Sequence, residues 1–140
     1  MRPSVSVVIL GVGDFQRARR FYKDGLGWPI AFEKDCIAFF RLSGVVLALY
    51  PREALAKDAT VSAEGSGFSG VTLAHNVASE READEVMATV ERLGARIVKP
   101  AQKVFWGGYS GYFADPDGHL WEVVYNPHWK LDEQGSILIS

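Results

Sequence analysis

Glu122 is the residue in this chain best placed to do chemistry. It stands inside His119-Leu-Trp-Glu-Val-Val-Tyr125, a run otherwise built of β-branched, aromatic and other apolar side chains after its first histidine. Strand alternation sends Glu122 to the face opposite Trp121 and Val123. A carboxylate within a sheet costs free energy unless it meets a partner or water. Two readings stay open. In one, Glu122 contacts a polar or cationic group of a ligand, or acts as a general base with raised pKa. In the other, it is a hydrated carboxylate on the floor of a cleft.

The second group is aromatic. In Phe105-Trp106-Gly107-Gly108-Tyr109, two glycines allow close backbone approach and large rings supply flat apolar surface. Trp106 and Tyr109 are candidate ligand-binding residues here, with aromatic packing across a module or dimer interface as the other reading. Phe39, Phe40 and Tyr112 are further candidates for a cleft wall.

Other chemistries find little support. His75, His119 and His128 are scattered without metal spacing; His75 is expected to face a helix layer, the other two solvent. The single cysteine, Cys36, excludes an internal disulfide and a multi-thiolate site, and its apolar neighbours predict a packed thiol. Gly11-Val-Gly13 lacks the further glycine of a dinucleotide loop. Ser69 and Ser110 lack a His/Asp arrangement for nucleophilic catalysis. Arg17, Arg19, Arg20 and Lys23 make a short basic helix face, which is ordinarily solvated.

The elements that position these residues occur twice. Residues 5–12 read as a buried strand. Asp14 caps a helix with apolar positions at Phe15, Ala18, Phe21, Tyr22 and Leu26, closed by Gly27. Strands follow at 30–33, 37–42 and 45–50, with Ser43-Gly44 turning between the last two. Residues 53–58 suit a turn or two of helix, and the Gly/Ser-rich stretch 62–70 a flexible connection. The pattern then returns. Residues 71–77 form a strand, and Ser79 with Glu82 has capping-box spacing. Ala83, Val86, Met87, Val90 and Leu93 form a helical stripe ended by Gly94. A strand at 96–99 stops at Pro100. Strands at 108–114 and 119–125 flank Asp115-Pro-Asp-Gly118, a type I turn signature.

Two βαβββ halves, residues 5–52 and 70–127, are thus joined by 53–69 and followed by a tail, 128–140. An internal duplication predicts paired modules, neither large enough for its own core. The expected fold is α+β: two modules pairing into a cupped mixed sheet with a central cleft and helices on the outer face. A cleft of this kind is the natural ligand site. Trp129, Leu131 and Ile137-Leu-Ile139 in the tail need burial, on the partner module or on a second subunit.

The bounds agree. The chain has 140 residues, 48% hydrophobic and 23% charged, with net charge −2. No pull toward nucleic acid or anionic membrane is visible. No apolar run approaches the roughly 18 residues of a membrane span, and the N-terminus does not resemble a secretory signal. A cytoplasmic location is expected by default.

The duplicated pattern resembles the vicinal oxygen chelate superfamily, which includes glyoxalases, extradiol dioxygenases, fosfomycin-resistance enzymes and bleomycin-resistance binding proteins. The resemblance is carried by Val12-Gly13-Asp14, Phe21-Tyr22 and Leu26-Gly27 in the first half. In the second, Phe113-Ala-Asp-Pro-Asp-Gly118 and Trp121-Glu122-Val123 carry it. It spans residues 5–127 and implies a homodimer. It also implies four metal-ligand positions, which fall on Val7, Leu47, Thr72 (or Val71) and Glu122. Val7 and Leu47 have no lone pairs to give, and a divalent ion needs several converging donors. No metal and no other cofactor are therefore expected, and Thr72 joins the candidate ligand-binding residues. The function expected is binding of a small apolar or aromatic molecule in the cleft. The alternatives are a lyase, isomerase or dioxygenase-type enzyme using Glu122, and an interaction module whose cleft is filled by its own tail.

Overall fold

The computed structural model describes residues 1–138. The chain divides into two compact units, Met1–Ser69 and the part from Gly70 onward. Both are α+β, and each holds one four-stranded mixed sheet.

In the first unit, β1 (Val7–Val12) leads into α1 (Phe15–Arg19). The Asp14 side chain caps this helix by accepting from the Arg17 N–H at 3.0 Å. The helix then widens into a π-helical stretch, Arg20–Gly25, which ends with the Leu26 N–H donating to the Phe21 carbonyl at 2.9 Å. Gly27, at φ 74°, releases the chain. β2 (Ile30–Lys34), β3 (Ile37–Arg41) and β4 (Val46–Pro51) follow. The sheet order is β1-β4-β3-β2, with β1 and β4 parallel. Its core lies under the helix: Tyr22 is fully buried and packs near Phe21, Trp28 and Phe40, with centroids 5.1, 5.5 and 6.1 Å away. The other face keeps apolar side chains exposed, among them Val7, Ile9 and Phe32. A short helix, α2 (Arg52–Asp58), closes the unit before the linker.

The second unit repeats the scheme. β5 (Leu73–Val77) leads into α3 (Glu80–Arg92). The capping box forms: Ser79 Oγ accepts from the Glu82 N–H at 3.1 Å, and Glu82 Oε2 from the Ala78 N–H at 2.8 Å. β6 (Arg96–Lys103), β7 (Tyr109–Ala114) and β8 (Leu120–Tyr125) complete a sheet of order β5-β8-β7-β6. Beneath α3, Phe113 and Trp121 stack at 6.3 Å with rings 5° from parallel. The Asp115–Gly118 turn closes with the Gly118 N–H donating to the Asp115 carbonyl at 2.9 Å. Asp115 Oδ1 also accepts from the Asp117 and His119 N–H groups, both at 2.9 Å. The tail ends in a small antiparallel pair, β9 (Lys130–Leu131) with β10 (Ile137–Leu138). Ile139, expected to need burial, lies outside the described residues.

Three local expectations are corrected. β6 does not stop at Pro100 but runs on to Lys103, because it is the sheet's edge strand and the register shifts between Lys99 and Gln102 absorb a residue without an N–H. Cys36 is exposed in the turn between β2 and β3, since the reversal there lifts it off the sheet. His119 is half-buried rather than exposed, its backbone being drawn in by Asp115. Among the described residues, no helix is long and apolar enough to cross a membrane.

Candidate functional site

The face of the second sheet turned away from α3 is a grid fixed by register. One row reads Ala74, Glu122, Tyr112, Lys99; the next reads Asn76, Val124, Ser110, Gln102. Glu122 is therefore beside Tyr112 and diagonal to Ser110, a separation that polar side chains can span. The buried Ser110 hydroxyl donates to Glu122 Oε2 at 3.0 Å. Tyr112 stands directly opposite Glu122 on the neighbouring strand. Its phenol is pushed above its ordinary pKa, chiefly by burial, then by the Glu122 charge.

A cavity of about 380 Å³ opens over this grid. Ala74, Asn76, Glu122 and Val124 form its sheet side, and Asn126 extends it at the strand end. Trp106, Trp129 and Ile137 supply the remaining walls. Trp106 belongs to the turn between β6 and β7. That turn is pinned by Val104 N–H donating to the Gly108 carbonyl and Gly107 N–H to the Val104 carbonyl, both at 3.0 Å. The Trp106 indole lies over Gly108 so closely that a Cβ there would stand 2.0 Å from the ring. Only glycine lets the ring take that place.

The sequence candidates separate on this geometry. Glu122 and Trp106 meet at the cavity, and Tyr112 joins Glu122 from the neighbouring strand. Tyr109 points to the opposite face, where its hydroxyl donates to Asp84 Oδ1 of α3 at 2.6 Å. It stands three positions before Tyr112, an odd offset, so alternation puts the two on different faces. Phe40 is completely buried in the core of the first unit. Thr72 is exposed just ahead of β5 and does not line the cavity. Ser110, Asn76 and Asn126 were missed. Ser110 was legible from its two-residue spacing to Tyr112, whereas Asn76 needed the β5–β8 register. His75 takes the face opposite Ala74 and Asn76, as expected. It retains exposed surface, yet the protein packed around its imidazole lowers its pKa, with Glu82 opposing.

The donor set does not fit a catalytic divalent ion. Among the described residues, no three His, Cys, Asp or Glu side chains converge. Leu47 also proves to be the wrong register: it is buried in the core, and Ala48 is the counterpart of Glu122. Ile9 stands opposite Ala48 as Ala74 stands opposite Glu122. Neither Leu47 nor Ala48 offers a lone pair.

Two mixed sheets of this order, each paired with a helix after its first strand, define the class. The chain belongs to the Glyoxalase/Bleomycin resistance protein/Dioxygenase superfamily, whose family model matches residues 4–123. It is similar to the crystal structure of a glyoxalase-related enzyme from Fulvimarina pelagi, with 37% identity, 99% of each chain covered and a TM-score of 0.90. It is also 28% identical over 123 residues to the metallothiol transferase FosB of Staphylococcus saprophyticus, covering 88% of this chain and 77% of that protein. A further relative is YraH, an uncharacterized protein of Bacillus subtilis. It is 29% identical over 118 residues, covering 80% of this chain and 90% of that protein.

Proposed function

We propose that this protein binds a small apolar or aromatic molecule in the cavity over Glu122, without a catalytic metal. One observation carries the reading: two indoles and aliphatic side chains wall a space that ends on one hydrogen-bonded carboxylate. A mostly apolar concavity with few fixed polar groups is the usual make-up of a small-molecule site. The ring faces of Trp106 and Trp129 offer area to a planar ligand. The donor set supports the metal-free part, since Val7, Leu47, Ala48 and Thr72 add at most one weak ligand to Glu122. We also read the protein as a cytoplasmic homodimer; the exposed Val7, Ile9 and Phe32 of the first unit support an association surface.

Titration with a panel of planar aromatic compounds, followed by tryptophan emission, tests binding. Saturable quenching is expected, weakened about tenfold or more by Trp106→Ala. No saturable binding by any compound overturns the reading. So does stoichiometric, tightly held zinc, nickel, manganese or iron in the purified protein.

A second reading, an enzyme of the same superfamily, is favoured by the Ser110–Glu122–Tyr112 group. A carboxylate held by the buried Ser110 hydroxyl, with the Tyr112 phenol opposite and a cavity beside it, is oriented as a general base would be. Turnover of a substrate, lost in Glu122→Gln, would establish it; turnover unchanged by that substitution would exclude it.

A further inference from the structure

We infer that the cavity selects a ligand bearing a positive charge: an apolar or aromatic body carrying a protonated amine or quaternary ammonium that meets Glu122. The inference rests on the binding reading above and adds the ligand's charge to it.

Glu122 faces the cavity, and none of the described residues that line it carries a positive charge. Its neighbours carry no charge: the Ser110 hydroxyl donates to it and the Tyr112 phenol stands opposite, so they orient the carboxylate without cancelling its charge. Lys99 stands in the same row but beyond Tyr112, at the sheet edge, and does not line the cavity. A carboxylate has room for about four hydrogen bonds. The neighbouring hydroxyls, two at most, therefore leave acceptor capacity for a ligand donor.

Each ligand class then meets a different outcome. A neutral apolar molecule filling the space would strip water from Glu122 and return nothing, a desolvation cost borne by the complex. An anion would add repulsion between like charges. A cation supplies the missing counter-charge as a charge-assisted hydrogen bond, the stronger kind. Trp106 and Trp129 favour the same sign, because the face of an indole is the negative end of its quadrupole and attracts ammonium groups. Asn76 and Asn126 can orient a remaining polar group without opposing that charge. Size sets the second limit: about 380 Å³ lies at the low end of small-molecule sites. The ligand is therefore a compact cation and not an extended polycation.

The test uses the full chain and three probes of closely similar size at neutral pH: 2-(2-naphthyl)ethylammonium, 2-(2-naphthyl)ethanol and 2-naphthylacetate. Isothermal titration calorimetry should show the ammonium binding about tenfold or more tighter than the alcohol, with the carboxylate weakest. Added salt should weaken the ammonium and leave the alcohol unaffected. Glu122→Gln should reduce ammonium affinity about 10- to 100-fold and spare the alcohol. A melting curve checks that this near-isosteric variant is folded, and the wild-type comparison stands without it. Alcohol or carboxylate binding as tightly as the ammonium overturns the charge assignment while the binding reading survives. Failure of all three to bind overturns both.

Discussion

The Ser110 hydroxyl donates to Glu122 Oε2 at 3.0 Å, diagonally across the β7–β8 ladder. The serine is almost fully buried, so its donor has a fixed task. Ser110→Ala removes an orienting bond to a charged acceptor. A loss of about 1–2 kcal/mol in stability is expected, because water reaching the half-buried carboxylate replaces part of the bond. Urea denaturation of the two proteins measures it. Ligand affinity should fall as well, since Glu122 gains rotamers.

Tyr112 should report on Glu122 through its titration. Burial and the Glu122 charge hold the phenol above its ordinary value. The folded protein therefore keeps a proton that the unfolded chain releases above about pH 10. This contribution to stability is complete below that pH and is lost as the pH rises through the folded value. Glu122→Gln removes the charge and leaves burial. The phenolate absorbance of the variant should then rise at lower pH than in the wild type, and identical curves would show that Glu122 does not act on Tyr112.

Phe40 and Trp106 should separate stability from binding. Phe40 has no exposed surface and packs near Tyr22, so Phe40→Ala should cost about 3–5 kcal/mol. Trp106 is 38% exposed at the cavity wall. Its replacement by alanine should change stability much less and weaken ligand binding more. Calorimetric melting and ligand titration on both variants give the comparison, and a reversed ranking would contradict these placements.

Gly108 tests whether the Trp106 ring position matters. A methyl at residue 108 would meet the indole at 2.0–2.8 Å, so the ring must move. Gly108→Ala should shift tryptophan emission to the red and weaken ligand binding, while the far-ultraviolet circular dichroism stays that of the wild type. Unchanged emission would mean that the indole yields without leaving its site.

Much of this architecture was already written in local chemistry. Asp14 and Ser79 as caps, Gly27 and Gly94 as helix exits, and Asp115-Pro-Asp-Gly118 as a turn depend on contacts within a few residues, so composition and spacing determine them. Alternation likewise settled that Glu122 opposes Trp121 and Val123. What the chain order could not settle was partnership between distant strands. The β7–β8 register decided that Ser110 and Tyr112, and not Tyr109, attend Glu122. The β1–β4 register decided that Ala48 rather than Leu47 answers to it in the first unit. Packing decided that Phe40 is core, and the tail's return brought Trp129 and Ile137 to the cavity wall. A one-residue change of register reverses every side chain on a strand, and pairing is an energy of the whole sheet, so these assignments exist only in the folded molecule.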